Sequence, residues 1–512
     1  MRGIKKFFSS DWTVAIFLFI LAAVIRAIPQ IKAGIWPIGY DTFNTYSAEL
    51  SSYNGPLINF VKTANILYFL FLPFKALGLS SDLIVKIFGP IIYGGLIASF
   101  YFFARRFLKF SALKSFLLAV LTIFQLSALR LSWDLYRNEL ALIFLFWGLI
   151  YLPGIKNFKN LILFALFTSL VTLSNELVTV LLFVILIVHG IYFILKRRWE
   201  EFVSLAIVII VMGILFTIVI SSSGQVLYNS HVFFTSEKNY FWRYFYQYDV
   251  DIPYKTLKEI ILALFWLLYG SLVPLAVFGL WSLRKNLTLW VITLFLFFGT
   301  FSSLIFSGSG LIVWERWLFI LVFPLTIYAV EGAFQIGKWF GNIKQWSSRF
   351  SGVAIALAIG FWTVYLGWFV YRAAPFLTAD YHQAKPPLAN DELNNYFPRT
   401  MVHSSLGVWL IPDTIKAVKW LNENAQPGSV IIIDNRYRGI MLTHFDVDDR
   451  YIITNSWSET IQPSALEAAK KTNYWPIYLI WNITNAVDGF DRINNFGNRG
   501  IYQALPSFKN TP

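Results

Sequence analysis

The sequence predicts a polytopic α-helical membrane protein, with about eleven transmembrane helices and a small α/β domain at the carboxy end. Three observations carry this expectation. The chain is 57% hydrophobic, 19% aromatic and only 14% charged over 512 residues, far more apolar than a water-soluble fold requires. Its Lys and Arg gather in short clusters between apolar runs. Beyond Tyr371 the membrane-length apolar runs cease.

A helix needs roughly 20 apolar residues to cross the hydrocarbon. Stretches of about that length occur at 12–28, 83–104, 113–131, 139–153, 160–174, 177–195, 202–220, 259–280, 287–306, 316–334 and 352–371. The first follows Met1-Arg2-Gly3-Ile4-Lys5-Lys6 and resembles a signal peptide, but its length and the lack of a small-x-small site favour an uncleaved anchor. The two shortest, 139–153 and 160–174, need polar ends or a thin local bilayer.

Charge parity tests the count, because each span moves the next loop to the other side. With eleven spans and a cytoplasmic amino terminus, the cytoplasmic side receives Arg105, Arg106, Lys109, Lys114, Lys156, Lys159, Lys196 to Arg198, Arg284, Lys285, Lys338, Lys344 and Arg349. Counting the apolar stretch 65–79 as a further span would reverse every later cluster. It is therefore expected to lie in, or dip into, the outer interface. The formal charge of +14 is thus topological rather than a nucleic-acid footprint.

The expected domains are a membrane region, 1–371, and an extracytoplasmic α/β domain, 372–512. The second opens with Pro375, Pro386, Pro387, Pro398 and Pro412. It then offers a helix from Asp413 to Asn424, a buried strand Ser429 to Ile433, a helix from Pro463 to Lys471 and a strand Ile477 to Ile480.

Several chemistries are excluded or unsupported. The chain has no cysteine, which removes disulfides, thiolate metal sites and thiol nucleophiles. His189, His231, His382, His403 and His444 lack zinc-ligand spacing, and there is no Gly-rich phosphate loop or serine nucleophile elbow.

The informative polar residues are those expected at the outer face. Asp41, in Gly39-Tyr40-Asp41-Thr42-Phe43-Asn44, either caps the helical segment that follows or acts as a general base toward a hydroxyl near the bilayer surface. Asp134 and Arg137 stand in the turn Ser132-Trp133-Asp134-Leu135-Tyr136-Arg137-Asn138-Glu139, where a local Asp134–Arg137 pair is the simple alternative to a role in a site. Glu176, in Leu173-Ser174-Asn175-Glu176-Leu177, either complements a helix dipole or joins the site. Arg316, in Val313-Trp314-Glu315-Arg316-Trp317, is either an interfacial anchor or a phosphate-gripping fork. Arg243, among Tyr240, Phe241, Trp242, Tyr244, Phe245 and Tyr246, has the same two readings on an expected interfacial helix. The pairs Asp249/Asp251 and Asp446/Asp448 read as solvated loops.

This arrangement resembles the GT-C superfamily of integral-membrane glycosyltransferases. The likeness lies in the early outer-loop acid Asp41, acids at later outer turns and an outer α/β domain. In Trp133-Asp134-Leu135-Tyr136-Arg137-Asn138 and Trp314-Glu315-Arg316-Trp317 it looks like prokaryotic members of archaeal type. The oligosaccharyltransferase branch carries Trp-Trp-Asp-x-Gly in its soluble domain; the nearest string here is Trp481-Asn482-Ile483-Thr484, a departure that argues against protein-asparagine transfer. The resemblance implies a plasma-membrane glycosyltransferase, usually inverting, that moves a sugar from a polyprenyl-phosphate donor such as a dolichyl phosphate to a glycan, lipid-linked or protein acceptor in the cell envelope. It implies Asp41 as base, Arg316 and Arg137 at the donor phosphate, and Asp134 and Glu176 orienting the acceptor. Asp41 and Asp134 would hold a divalent metal (Mg or Mn) if one is used. Two other classes fit the composition: a lipid or glycolipid transporter or flippase, and a non-catalytic glycan-binding membrane scaffold.

Overall fold

The computed structural model describes residues 10–52, 55–222, 232–234, 257–305, 314–344, 348–372, 410–445, 450–455, 461, 463–483 and 487–510. The chain is a multi-pass helical membrane protein with a small carboxy-terminal sheet domain. Helices occupy each of the eleven apolar stretches, yet among the described residues five are long and apolar enough to cross a membrane by themselves. A sixth is obtained if one bent pair counts as a single span.

In chain order the first part comprises α1 (Asp11–Lys32), a π-helical turn (Thr42–Ser47), α2 (Leu67–Ala76) and α3 (Ser81–Phe102), which continues as a π-helical turn to Phe107. Ser10 caps α1 by accepting the Thr13 N–H at 3.3 Å, and Ser80 caps α3 by accepting the Leu83 N–H at 3.4 Å. Asp11, at the start of α1, pairs with Arg105, at the far end of α3, at 2.9 Å. The two helices are therefore antiparallel neighbours, with the segment between them entering and leaving at one end of the bundle. Stretch 65–79 lies in that segment. Its helix α2 has ten residues, about 15 Å at the α-helical rise, half of the hydrocarbon thickness.

The third apolar stretch, read as one span over 113–131, is instead two helices, α4 (Ala112–Ile123) and α5 (Leu126–Asp134), bent by 64° at the break. Then come α6 (Tyr136–Tyr151), α7 (Phe158–Thr172), α8 (Glu176–Leu195) and α9 (Trp199–Ser222). The stretch at 259–280 is also broken, into α10 (Leu257–Tyr269) and α11 (Val273–Ser282). Helices α12 (Leu287–Ile305), α13 (Trp314–Ile320), α14 (Val322–Lys344) and α15 (Ser348–Arg372) complete the membrane region.

Hydrophobicity on all sides explains how these helices sit. Helix α9 exposes Val203, Ile207, Ile210, Ile214 and Ile218, a face that only lipid can cover at low cost. Where helices must approach closely, glycine makes room. A Cβ on Gly279 of α11 would lie 1.8 Å from the Tyr328 carbonyl of α14, and Gly332 meets the Leu275 carbonyl in the same way.

The carboxy-terminal domain has α16 (Ile411–Asn424), α17 (Arg438–His444) and α18 (Pro463–Lys471) around a six-stranded sheet of order β1-β3-β2-β4-β6-β5. The strands are β1 (Val232–Phe234), β2 (Val430–Asp434), β3 (Tyr451–Asn455), β4 (Ile477–Asn482), β5 (Phe490–Phe496) and β6 (Arg499–Ala504). The four strands β1 to β4 pair in parallel, and β5 and β6 add an antiparallel hairpin. All four elements expected here from sequence are present. Strands β1 and β3, the hairpin and α17 were not anticipated: in the hairpin, Phe490 to Phe496 has four exposed or half-exposed polar positions, Asp491, Arg492, Asn494 and Asn495, and a weak strand signal. The aromatic segment 240–246 with Arg243, the pairs Asp249/Asp251 and Asp446/Asp448, and His231, His382 and His403 lie outside the described residues.

Candidate active site

The site forms where the loop after α1 meets the end of α5, the start of α13 and the carboxy-terminal domain. Gly39 makes the first approach possible. It has φ +102°, and a side chain there would strike Asp134 Cβ at 2.7 Å and the Trp133 carbonyl at 2.8 Å. The chain then enters the π-helical turn Thr42–Ser47, and Thr42 Oγ1 donates back to the Ile38 carbonyl at 2.9 Å. Single π turns of this kind are frequent at functional sites.

Asp41 precedes that turn. Its carboxylate makes no cap hydrogen bond, so the capping role considered from sequence is not what it does. It keeps some accessible surface although protein surrounds it on all sides. Burial raises its pKa to about 7, and the neighbouring Asp134 charge adds to the rise. Arg316, Arg130 and Arg137 act in the opposite direction. The acid early in the chain therefore lies within electrostatic reach of the cation opening α13.

Arg316 makes no hydrogen bond or ion pair with any described residue. Its tryptophan neighbours face inward. Trp314 is fully buried, and Trp317 packs edge-on against Phe295 at 5.2 Å.

Three expected site residues have other commitments. Asp134 is buried and pairs with Arg130 at 2.7 Å, not with Arg137. Its charge acts on Asp41. Arg137 is a structural clamp: its Nη2 donates to both Glu176 carboxylate oxygens at 2.8 and 2.9 Å, and its Nε donates to the Ala64 and Ser174 carbonyls at 3.1 Å. The clamp ties together the turn before α2, the start of α6 and the turn before α8. Glu176 opens α8 behind the cap Asn175, as the helix-dipole reading expects.

Of the two acids considered from sequence for a metal, Asp134 pairs with Arg130, and no group of three or more His, Asp or Glu able to hold an ion occurs among the described residues.

Two buried arginines were missed from sequence. Arg130 joins the Asp134 pair, and its guanidinium lies 5.4 Å from the Phe319 ring. Arg26, fully buried in α1, donates to the Ser132 and Trp133 carbonyls at 3.0 and 3.3 Å, which closes the carboxy end of α5. Both stand inside expected spans, 12–28 and 113–131, and an arginine inside an apolar span was the available signal.

The carboxy-terminal domain reaches the same loop. Phe43 is buried in that domain's apolar core, with Trp36 and Tyr40 packed against it. Gly439 N–H donates to Asn44 Oδ1 at 2.5 Å, and Ser51 Oγ donates to Thr443 Oγ1 at 3.3 Å.

The chain matches no protein-family model and no curated protein.

Proposed function

We propose that the chain is a membrane glycosyltransferase of GT-C type that moves a sugar from a polyprenyl-phosphate donor to an acceptor hydroxyl at the outer face of the membrane. One observation carries the reading: Asp41, a deeply set carboxylate, lies within electrostatic reach of the Arg316 guanidinium, and neither makes a hydrogen bond with another described residue. An acid and a cation kept from pairing within hydrogen-bond distance suit a reaction that needs both at different atoms. The topology that accompanies this reading has eleven spans, counting broken and short helices. The amino terminus is cytoplasmic, and the site and carboxy-terminal domain lie outside the plasma membrane.

In the reaction the acceptor oxygen attacks the anomeric carbon on the face opposite the lipid phosphate. Asp41 takes the hydroxyl proton as that bond forms. The sugar–phosphate C–O bond breaks with its electron pair on the phosphate oxygen, and Arg316 stabilises the charge that develops there. The leaving phosphate is a weak base, so no acid is required to protonate it. A carboxyl with pKa about 7 is a stronger base than an ordinary aspartate and still ionised in half of the molecules at neutral pH. Transfer should accordingly rise with pH and level off above about 7.

The test is transfer of radiolabelled sugar from polyprenyl-phosphate donors in membranes containing the wild-type chain or Asp41→Asn. A fall of about 10² or more supports the base. Full transfer by the variant overturns it, and movement of intact glycolipid across the bilayer without transfer favours a flippase.

A further inference from the structure

The loop that carries Asp41 has one wall in the membrane region and the other in the carboxy-terminal domain. On the second wall, α17 lies against the π-helical turn so closely that only glycine fits at its second residue. A Cβ on Gly439 would fall 2.3 Å from the Phe43 carbonyl oxygen and 2.7 Å from Asn44 Cα. The Gly439 N–H is spent on Asn44 Oδ1. Two further contacts flank this one, from Tyr40 Oη to the Asn435 carbonyl at 3.5 Å and from Ser51 to Thr443. Tyr40 and Phe43, on either side of Asp41, both belong to the packing of the carboxy-terminal domain core.

We infer that the carboxy-terminal domain completes the active site by clamping the Asp41 turn, with Gly439 and Asn44 as positioning residues for the carboxylate. This rests on the glycosyl-transfer reading only for its kinetic consequence. Three features of the turn give it need of a clamp. A π-helical turn is a poorly favoured backbone state that persists when its surroundings over-determine it. Asp41 itself contributes no cap bond to hold the turn. On the membrane side, Gly39 packs against Trp133 and Asp134 at the entry, and the far end of the turn is held by Tyr68 Oη donating to the Thr45 carbonyl at 3.3 Å, by Tyr46 stacked on Tyr136 at 5.2 Å and by Ser47 Oγ donating to Asp82; the middle of the turn, Phe43 and Asn44, meets the carboxy-terminal domain. The clamp supplies the rest: an apolar anchor in Phe43 and a buried backbone hydrogen bond one residue beyond it. The domain is therefore part of the catalytic unit and not only a surface on which an acceptor could rest.

The experiment uses the full chain in lipid nanodiscs, comparing wild type with Gly439→Val and Asn44→Leu. The second variant removes the acceptor atom and leaves the glycine in place. Amide hydrogen exchange over residues 39–47 should quicken by about tenfold or more in both, while α1 and α3 stay protected. Transfer should show a fall in kcat of about tenfold to 100-fold with the donor KM unchanged within about twofold, the pattern of a misplaced base rather than a lost binding contact. Asn44→Asp, which keeps an acceptor oxygen for the Gly439 N–H, should restore protection of the turn. Unchanged exchange at 39–47 in both variants overturns the clamp, and so does faster exchange with an unaltered kcat. If Gly439→Val loses protection throughout, Asn44→Leu decides. The exchange result is read without any assay of transfer, so a failure of Asp41→Asn to reduce transfer counts against the function and leaves the clamp to be judged on exchange.

Discussion

Two polar clusters lie at opposite ends of the bent helix pair α4–α5, and they are built on contrary rules. At the start of α4, Lys114 pairs with Glu331, Ser282 Oγ donates to Glu331 Oε1 at 2.6 Å, and Gln335 Nε2 donates to the same oxygen at 2.6 Å. The Lys114 ammonium also sits over the Phe110 ring at 3.8 Å. Both carboxylate oxygens and the cation are committed. At the end of α5, Asp134 has Arg130, but Asp41 and Arg316 are left without hydrogen-bonding partners among the described residues. A buried ion pair survives in an apolar bundle when its members satisfy each other. Asp41 and Arg316 keep some accessible surface, whereas Glu331 is buried, and on the proposed reading a ligand supplies their partners.

The sharpest way to break this contrast is Asp41→Asn, which should reduce sugar transfer by about 10² to 10⁴ while leaving the fold intact. Retained activity would make the outer cluster as structural as the inner one. The inner cluster predicts the converse. Glu331→Ala strands the Lys114 charge in a largely buried setting and should destabilise the chain by about 3 to 5 kcal/mol, read as a lower melting temperature in detergent. The pH profile of transfer in the surviving protein should be unaltered. A shifted profile would join the two clusters into one functional system.

Arg316→Met comes next in size. It removes the cation with little change of volume and should lower transfer by about tenfold to 100-fold. Arg137→Met makes the informative contrast. Its guanidinium holds Glu176 and two carbonyls, so its loss should reduce stability more than it reduces transfer per folded molecule. If Arg137→Met lowers transfer as much as Arg316→Met at equal stability, the division between them is wrong.

The helices were legible in the sequence because hydrophobic length acts locally. Every apolar stretch is helical, and 65–79 holds only a short helix. The breaks in 113–131 and 259–280 were not legible. A helix interrupted within an apolar run keeps its composition, and the 64° bend depends on what α5 packs against. In the site, Asp41 and Arg316 could be singled out because each is a charge at the edge of an apolar run without a sequence-local partner. The partners of the other charges were misassigned for a physical reason. Asp134 has an arginine three residues after it and another four before it, and only the latter lies on the same face of a helix. Arg137 is then free to reach Glu176, thirty-nine positions away, a tertiary contact that no local spacing announces.

The gentlest test concerns stability, and its sign distinguishes the two clusters again. The Asp41 carboxyl has a pKa near 3.8 in the unfolded chain and about 7 in the folded one, raised by burial and by Asp134. Below pH 3.8 it is neutral in both states and contributes no penalty. As pH rises from there to about 7, the unfolded chain releases its proton first, so stability attributable to the neutral carboxyl is lost progressively until the folded value is passed. Above pH 7 the full penalty remains. Its upper bound is about 4 kcal/mol from the size of the shift, and about 2 kcal/mol is expected because solvent reaches part of the side chain. Asn at this position has no proton to lose. The melting temperature of Asp41→Asn should therefore exceed that of the wild type by a margin that widens between pH 4 and 7 and is constant at pH 8. A margin that narrows over that interval would mean that the folded chain favours the ionised carboxylate, as a satisfied structural ion pair does, and the outer cluster would lose the feature that sets it apart from the inner one.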